Sequence, residues 1–288
     1  MKQALILAGG GARGAFQVGV LRFLEEMNWK PDLICGTSVG GVNAVGMGCG
    51  MKPVELAEFW KKYNRRMLFD LTLQKFILSF LSRRKFKSLM DTQPLRAVLE
   101  KHIDIEALRR SRTEIIITAV NMRTSAVTYF DRSVITIGHL LASGAIPLVF
   151  PWQFIDGEPY WDGGIMANVP IMPALERGAK EIIIVLLSPV GWARPTVVGG
   201  NDQPLPQTHS QVAELMLEHF LFASGCVLLE AMKKGLYSDV KIATVAPSRM
   251  LGLRSLLNFS SKEAERLIQE GYDNARDQLR HFFKEQIR

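Results

Sequence analysis

A serine, an aspartate and two glycine-rich turns are the residues of this 288-residue chain whose types and spacing could do chemistry. Ser38 stands at the centre of Gly36-Thr37-Ser38-Val39-Gly40, a Gly-x-Ser-x-Gly run that follows a short apolar stretch and opens a segment of small residues. Glycines two before and two after a serine let a strand turn sharply into a helix. The hydroxyl is then left exposed at the strand's carboxyl end, over the helix amino terminus. A hydroxyl in that place is a candidate nucleophile, and the helix dipole favours the negative charge its attack would create. Gly36 and Gly40 are the elbow residues of this reading; the alternative is an ordinary Gly-Ser turn.

The second turn is Gly9-Gly10-Gly11-Ala12-Arg13-Gly14. Gly9, Gly11 and Gly14 satisfy the G-x-G-x-x-G spacing of a dinucleotide site, which requires an acidic residue at the end of the next strand. Asp32 stands at the beginning of that strand and its end is Gly36-Thr37-Ser38, so a nicotinamide cofactor is not expected. A phosphate-binding loop is excluded because Ala15 and Phe16 stand where Lys and Ser or Thr would be needed. With Ser38 as nucleophile the loop acquires a different task. Backbone N–H groups of Gly10, Gly11 and Ala12 would point at the oxyanion formed on attack, and losing one such donor typically costs about a hundred- to a thousand-fold in turnover. Arg13 completes the loop at 9–14 and either anchors it or attracts a phosphate headgroup.

A serine nucleophile needs a base. In the usual hydrolase order a histidine follows the acid, but His209, His219 and His281 lie in no recognisable catalytic loop, and His102 and His139 come earlier in the chain. Asp162, in Tyr160-Trp161-Asp162-Gly163-Gly164, sits in a glycine turn that also reads as a hairpin signal.

The elements that must position these residues follow from periodicity. Residues 3–8 form a buried strand, 15–27 and 39–51 helices, and 114–120 and 126–130 two strands joined by a short turn. Residues 52–112 read as several helices around Trp60, Phe69, Phe76 and Leu95, a cap or insertion over the core. Beyond Asp162, residues 181–187 are a strand, 191–208 a Pro- and Gly-rich loop, 212–232 a helix and 239–245 a last strand. An amphipathic helix at 261–283, capped by Ser260 or Ser261, closes the chain. This is an α/β pattern, expected as one domain over 1–288, with the motif-bearing core at 3–188 and a helical closure from about 210.

The composition narrows the partners. Residues 52–112 carry 15 Lys and Arg against 7 Asp and Glu, a net of +8, whereas the whole chain has +7. Within that segment Phe76-Ile77-Leu78-Ser79-Phe80-Leu81 precedes Arg83-Arg84-Lys85-Phe86-Lys87. An apolar patch beside a cationic cluster suits docking on an anionic lipid surface; a helix with one core face and a solvated end is the alternative. No nucleic-acid recognition motif accompanies the charge. Cys35, Cys49 and Cys226 lack metal spacing and suit buried thiols in a reducing compartment, here the cytoplasm. The apolar start at 4–8 reads as the first strand rather than a signal peptide, and no apolar run approaches the roughly 20 residues of a membrane span.

Four blocks together carry a resemblance: Gly-Gly-Gly-Ala-Arg-Gly at 9–14, Gly-Thr-Ser-Val-Gly at 36–40, Ala-Ser-Gly-Ala-Ile-Pro at 142–147 and Asp-Gly-Gly at 162–164. In order and type they are similar to those of patatin-like phospholipases. The resemblance implies a three-layer α/β/α fold with a largely parallel central sheet and the nucleophile elbow after the second strand. It implies a Ser-Asp dyad without histidine, carried onto Ser38 and Asp162, with the oxyanion hole on the 9–14 loop. It further implies calcium-independent hydrolysis of phospholipid, lysophospholipid or related acyl esters, with no cofactor and no metal. Acyl transfer on the same scaffold, or lipid or partner binding without turnover, are the competing functions. A free aspartate has a pKa near 4 and is a weak base at neutral pH, so burial would have to raise it.

Overall fold

The computed structural model describes residues 2–74, 77–78, 87–189, 207–249 and 251–283. The strands are β1 (Gln3–Leu7), β2 (Leu33–Thr37), β3 (Asp70–Leu71), β4 (Met90–Asp91), β5 (Glu114–Asn121), β6 (Val127–Asp131), β7 (Gln153–Ile155), β8 (Glu158–Asp162), β9 (Glu181–Val185) and β10 (Lys241–Val245). The helices are α1 (Gly14–Glu26), α2 (Val39–Gly48), α3 (Pro53–Lys62), α4 (Arg65–Leu68), α5 (Gln93–His102), α6 (Ile105–Arg109), α7 (Ile137–Ser143), α8 (Gly164–Ala167), α9 (Met172–Glu176), α10 (His209–Lys233) and α11 (Ser261–Gln278).

Strands that read as unbroken apolar runs must be covered on both faces, which favours a parallel arrangement with helices on either side. β10, β9, β1, β2 and β5 pair in that order and all run parallel. Their side chains alternate between two cores. Leu5, Leu7, Ile34, Ile183 and Val185 pack with Phe16, Val20, Val45, Leu267 and Ile268 of α1, α2 and α11. Ala4, Ile6, Leu33, Ile182 and Ile184 pack on the other side with Val169, Ile171 and Ala174 near α9. Beyond β5 the sheet turns antiparallel through β6, β8 and β7.

The insertion differs from the all-helical cap expected. Between its helices β3 and β4 form an antiparallel pair, Asp70 opposite Asp91 and Leu71 opposite Met90. The pair forms because Leu68, Phe69 and Met90 bury themselves on Tyr63 and Phe150 in one apolar cluster, which brings the two short stretches side by side. Asp162 is not a hairpin residue either. The hairpin is β7 to β8, turned at Asp156-Gly157 with positive φ at both positions, while Asp162 ends β8 and Gly163 begins the turn into α8. At the carboxyl end Ser260 caps α11, its side chain accepting from the Glu263 N–H at 3.3 Å, and the helix ends at Gln278 rather than at 283. Residue 76, most of the apolar and cationic run at 76–87, and nearly all of the loop at 191–208 lie outside the described residues. No helix among the described residues is long and apolar enough to cross a membrane.

Candidate active site

β2 ends at Thr37 and α2 begins at Val39, so one residue makes the whole turn. That residue is Ser38, held at φ 54° and ψ −124°, backbone that a serine seldom adopts. The glycines around it are required by contact. A Cβ on Gly36 would lie 2.4 Å from the Gly40 carbonyl oxygen, and one on Gly40 would lie 2.2 Å from that of Leu7. The main-chain N–H of Ser38 donates to Ser143 Oγ at 2.9 Å, which satisfies a buried donor and fixes the turn.

The partner residue arrives through strand register. β5 pairs with β2 as far as Thr118 opposite Thr37; its next residue, Ala119, pairs with Asp162. Ile116 to Thr118 face β2 on one edge and β6 on the other, and Ala119 and Val120 face both β6 and β8. β8 therefore takes the edge of β5 that β2 vacates at the elbow, and its last residue meets the place where Ser38 leaves the sheet. The 142–147 block holds both ends of this junction: Ser143 takes the Ser38 N–H, and the Ala145 carbonyl takes the Asp162 N–H at 3.0 Å.

Ser38 and Asp162 are 7% and 5% exposed. Burial pushes the Asp162 carboxyl up to about 7, offset in part by the Gly164 N–H, which donates to Oδ1 at 2.6 Å, and by the Ser38 hydroxyl. A carboxylate with that value accepts a proton at neutral pH far better than a free aspartate does. The histidines are occupied elsewhere. His102 Nε2 meets the Tyr63 hydroxyl at 2.7 Å and His139 Nδ1 the Thr136 hydroxyl at 2.8 Å, while His209, His219 and His281 are exposed.

The glycine loop runs past the elbow. A Cβ on Gly9 would come within 3.1 Å of the Ser38 Cβ, so loop and nucleophile touch. Asn168 clamps the loop: the Gly9 N–H donates to its Oδ1 at 3.0 Å, and its Nδ2 donates to the Gly9 carbonyl at 3.4 Å. Among the described residues, no main-chain or side-chain acceptor takes the N–H of Gly10 or Gly11. Of the two roles open to Arg13, the structure shows the anchor. Its N–H donates to the Gly10 carbonyl at 3.3 Å, and its fully buried side chain donates to Ser255 Oγ at 2.6 Å and to the carbonyls of Leu187 and Gly252. It anchors the loop from inside and is not available to a headgroup.

An apolar pocket opens on Ser38. Gly11, Val39, Val42, Leu140, Leu141 and Gly144 form its sheet side, and Phe59, Trp60, Tyr63, Leu68, Phe69, Leu95 and Leu99 its insertion side, with Phe150 and Phe259 between. Apart from Ser38 and Thr92, and the Tyr63 and Trp60 rings with their polar tips, its lining is apolar or glycine.

The family model for patatin-like phospholipase matches residues 5–175, more than half of the chain and all four blocks. The chain belongs to the patatin-like phospholipase family. Curated relatives include a cGAMP-activated phospholipase of Pseudomonas aeruginosa, 29% identical over 58% of this chain and 53% of its own length. Another is Lysophospholipase NTE1 of Mycosarcoma maydis, 27% identical over 69% of this chain and 10% of its own. The chain thus spans about half the length of the first of these. Among solved structures, VipD from Legionella pneumophila superposes with a TM-score of 0.49 and 15% identity, over 97% of this chain and 67% of the other. These relatives are named as a phospholipase and a lysophospholipase.

Two residues of this patatin-like site escaped the reading of the sequence. Ser143 lies inside the 142–147 block and Asn168 four residues beyond the 162–164 block, each a polar side chain in an otherwise small or apolar run. Polarity within a buried stretch was the available signal, since buried polar groups must find partners.

Proposed function

We propose that this patatin-like protein is a serine lipid acyl hydrolase, cleaving carboxylic esters of phospholipids, lysophospholipids or related acylglycerols through Ser38 and Asp162. The observation that carries the reading is the buried Asp162 carboxyl set beside the Ser38 elbow at the mouth of an apolar pocket. Asp162 takes the proton as the Ser38 oxygen attacks the ester carbonyl, and the N–H groups of Gly10, Gly11 and Ala12 hold the oxyanion. Collapse expels the alcohol, which takes the proton back from Asp162. Water then attacks the acyl-enzyme, giving its proton to Asp162, and Ser38 is regenerated as the fatty acid leaves. The apolar pocket receives the acyl chain. No step calls for calcium, and the protein works in the cytoplasm by peripheral contact with an anionic bilayer.

The test is release of fatty acid from phospholipids, lysophospholipids and short acyl esters by wild type and Ser38→Ala, with chelator present, and with and without cGAMP. Release by wild type and a loss of at least ~10³-fold in the variant is expected. Acyl products formed on an added alcohol in place of free acid would identify a transferase. Equal activity of the variant, or no wild-type activity in any arm, would overturn the reading.

A further inference from the structure

The short segments that line the pocket with some residues expose others. Phe69 and Phe150 face the pocket, whereas Leu71, Leu73 and Leu148 are 55%, 46% and 61% exposed. These leucines belong to one patch. The Thr72 N–H donates to the Leu89 carbonyl and the Leu89 N–H to the Leu148 carbonyl, each at 2.9 Å. With adjacent strands ~4.8 Å apart, Leu148 lies about 10 Å from Thr72, which is flanked by Leu71 and Leu73.

Leu148 is held at φ +67°, the left-handed region that a leucine avoids. The turn's carbonyl serves the fold by accepting from Leu89, but its apolar side chain, turned into water, adds no burial to it. Cations border the patch: Arg65 and Arg66 on α4, just before β3, and Lys87, just before β4, are exposed. The carboxylates nearby are Asp70, exposed at the start of β3, and Asp91, which accepts from the Gln93 N–H. The local charge therefore remains positive.

We propose that this rim seats the protein on an anionic lipid bilayer, with Leu71, Leu73 and Leu148 entering the headgroup region and Arg65, Arg66 and Lys87 meeting lipid phosphates and carboxylates. A bilayer fits better than a protein partner. The rim adjoins, through Phe69 and Phe150, a pocket that must stay open to an acyl chain, and all of it but Leu148 lies in the segment that carries a net +8. The inference rests on the lipid-hydrolase reading and locates the surface through which substrate would arrive.

The experiment compares wild type, Leu148→Asn, the pair Leu71→Ser/Leu73→Ser, and the triple variant Arg65→Glu/Arg66→Glu/Lys87→Glu. Cosedimentation with phosphatidylcholine vesicles, with and without phosphatidylserine, is measured beside hydrolysis of a soluble short-chain ester. Asparagine tolerates the left-handed backbone, so Leu148→Asn keeps the turn while removing the apolar group. Wild type is expected to bind the anionic vesicles. The leucine and cation variants should each lose about tenfold or more of that binding, and of vesicle hydrolysis, with turnover of the soluble ester within about twofold. Undiminished vesicle binding in both sets would overturn the proposal, as would rim variants that turn a wild-type dimer into a monomer. A wild type inert on the soluble ester, whose vesicle binding still falls in the variants, would sink the hydrolase reading and leave the docking surface standing.

Discussion

The two walls of the pocket are built by different means. On the sheet side the main chain fixes positions: the Ser38 N–H on Ser143, the Asp162 N–H on Ala145, the Gly9 N–H on Asn168, and Ala119 opposite Asp162. On the insertion side, packing does the same work. The Phe69 and Phe150 rings stack with centroids 4.7 Å apart, and Trp60 lies parallel to Phe259 at 6.1 Å. A buried polar chain joins the walls, Trp60 Nε1 donating to Asn43, Asn43 to Gln17, and Gln17 to the Ala8 carbonyl just before the glycine loop. The contrast teaches a division of labour. Hydrogen-bonded register fixes the direction of polar groups, as proton transfer would require, whereas the aromatic wall offers the apolar surface that an acyl chain would meet. Changes to the sheet wall should alter turnover, and changes to the insertion wall should alter which ester is chosen.

The largest effect is expected from Asp162→Asn, which keeps the size of the side chain and removes the base. Turnover should fall at least ~10³-fold with the fold intact, read by ester hydrolysis and circular dichroism. In the wild type, kcat should rise with pH through about 7 as Asp162 loses its proton. Next comes Ser143→Ala. Leaving the buried Ser38 N–H without an acceptor should cost ~1–3 kcal/mol of stability and roughly 10- to 100-fold in kcat, with KM little changed; an effect confined to KM would contradict the positioning role. A smaller change, of about tenfold, is expected from Phe69→Ala. It should appear in KM and in acyl-length preference across an ester series, because the ring is part of the wall and takes no part in proton transfer.

The subtlest expectation concerns stability. The folded-state pKa of Asp162 lies above its ordinary 3.8, so the native state binds the proton more tightly, and this contribution is lost as pH rises from about 4 to about 7. Above pH 7 Asp162→Asn should therefore be more stable than wild type by up to ~4 kcal/mol, a gap that closes below about pH 4. Thermal melts at both extremes would show it. A variant less stable than wild type at high pH would mean that the buried carboxylate is better solvated than its surroundings suggest.

Much of the sheet wall was legible because its signals are local. A strand ending in Gly-x-Ser-x-Gly, and glycines ahead of a helix, announce their geometry within a few residues, and β1, β2, α1 and α2 lie where the pattern places them. Asp162 was legible as a candidate through its block, but its meeting with Ser38 depends on β8 replacing β2 along β5, a long-range register that no local spacing encodes. Arg13 stayed ambiguous for a related reason. A charged residue in a surface-like loop gives no sign that the carbonyls of Leu187 and Gly252, far along the chain, will surround it. In the insertion the helices were legible, but not the pair between them, since β3 and β4 are two residues each and form through packing on Tyr63 and Phe150.

The most direct test of the Ser38–Asp162 pair is covalent labelling with a fluorophosphonate, with the modified residue read by mass spectrometry across a range of pH. The adduct should sit on Ser38, its rate of formation should rise through about pH 7, and Asp162→Asn should nearly abolish it. An adduct on another residue, or labelling of Ser38 at an undiminished rate in Asp162→Asn, would show that the proton leaves by a different route and that the pairing of these two residues is not catalytic.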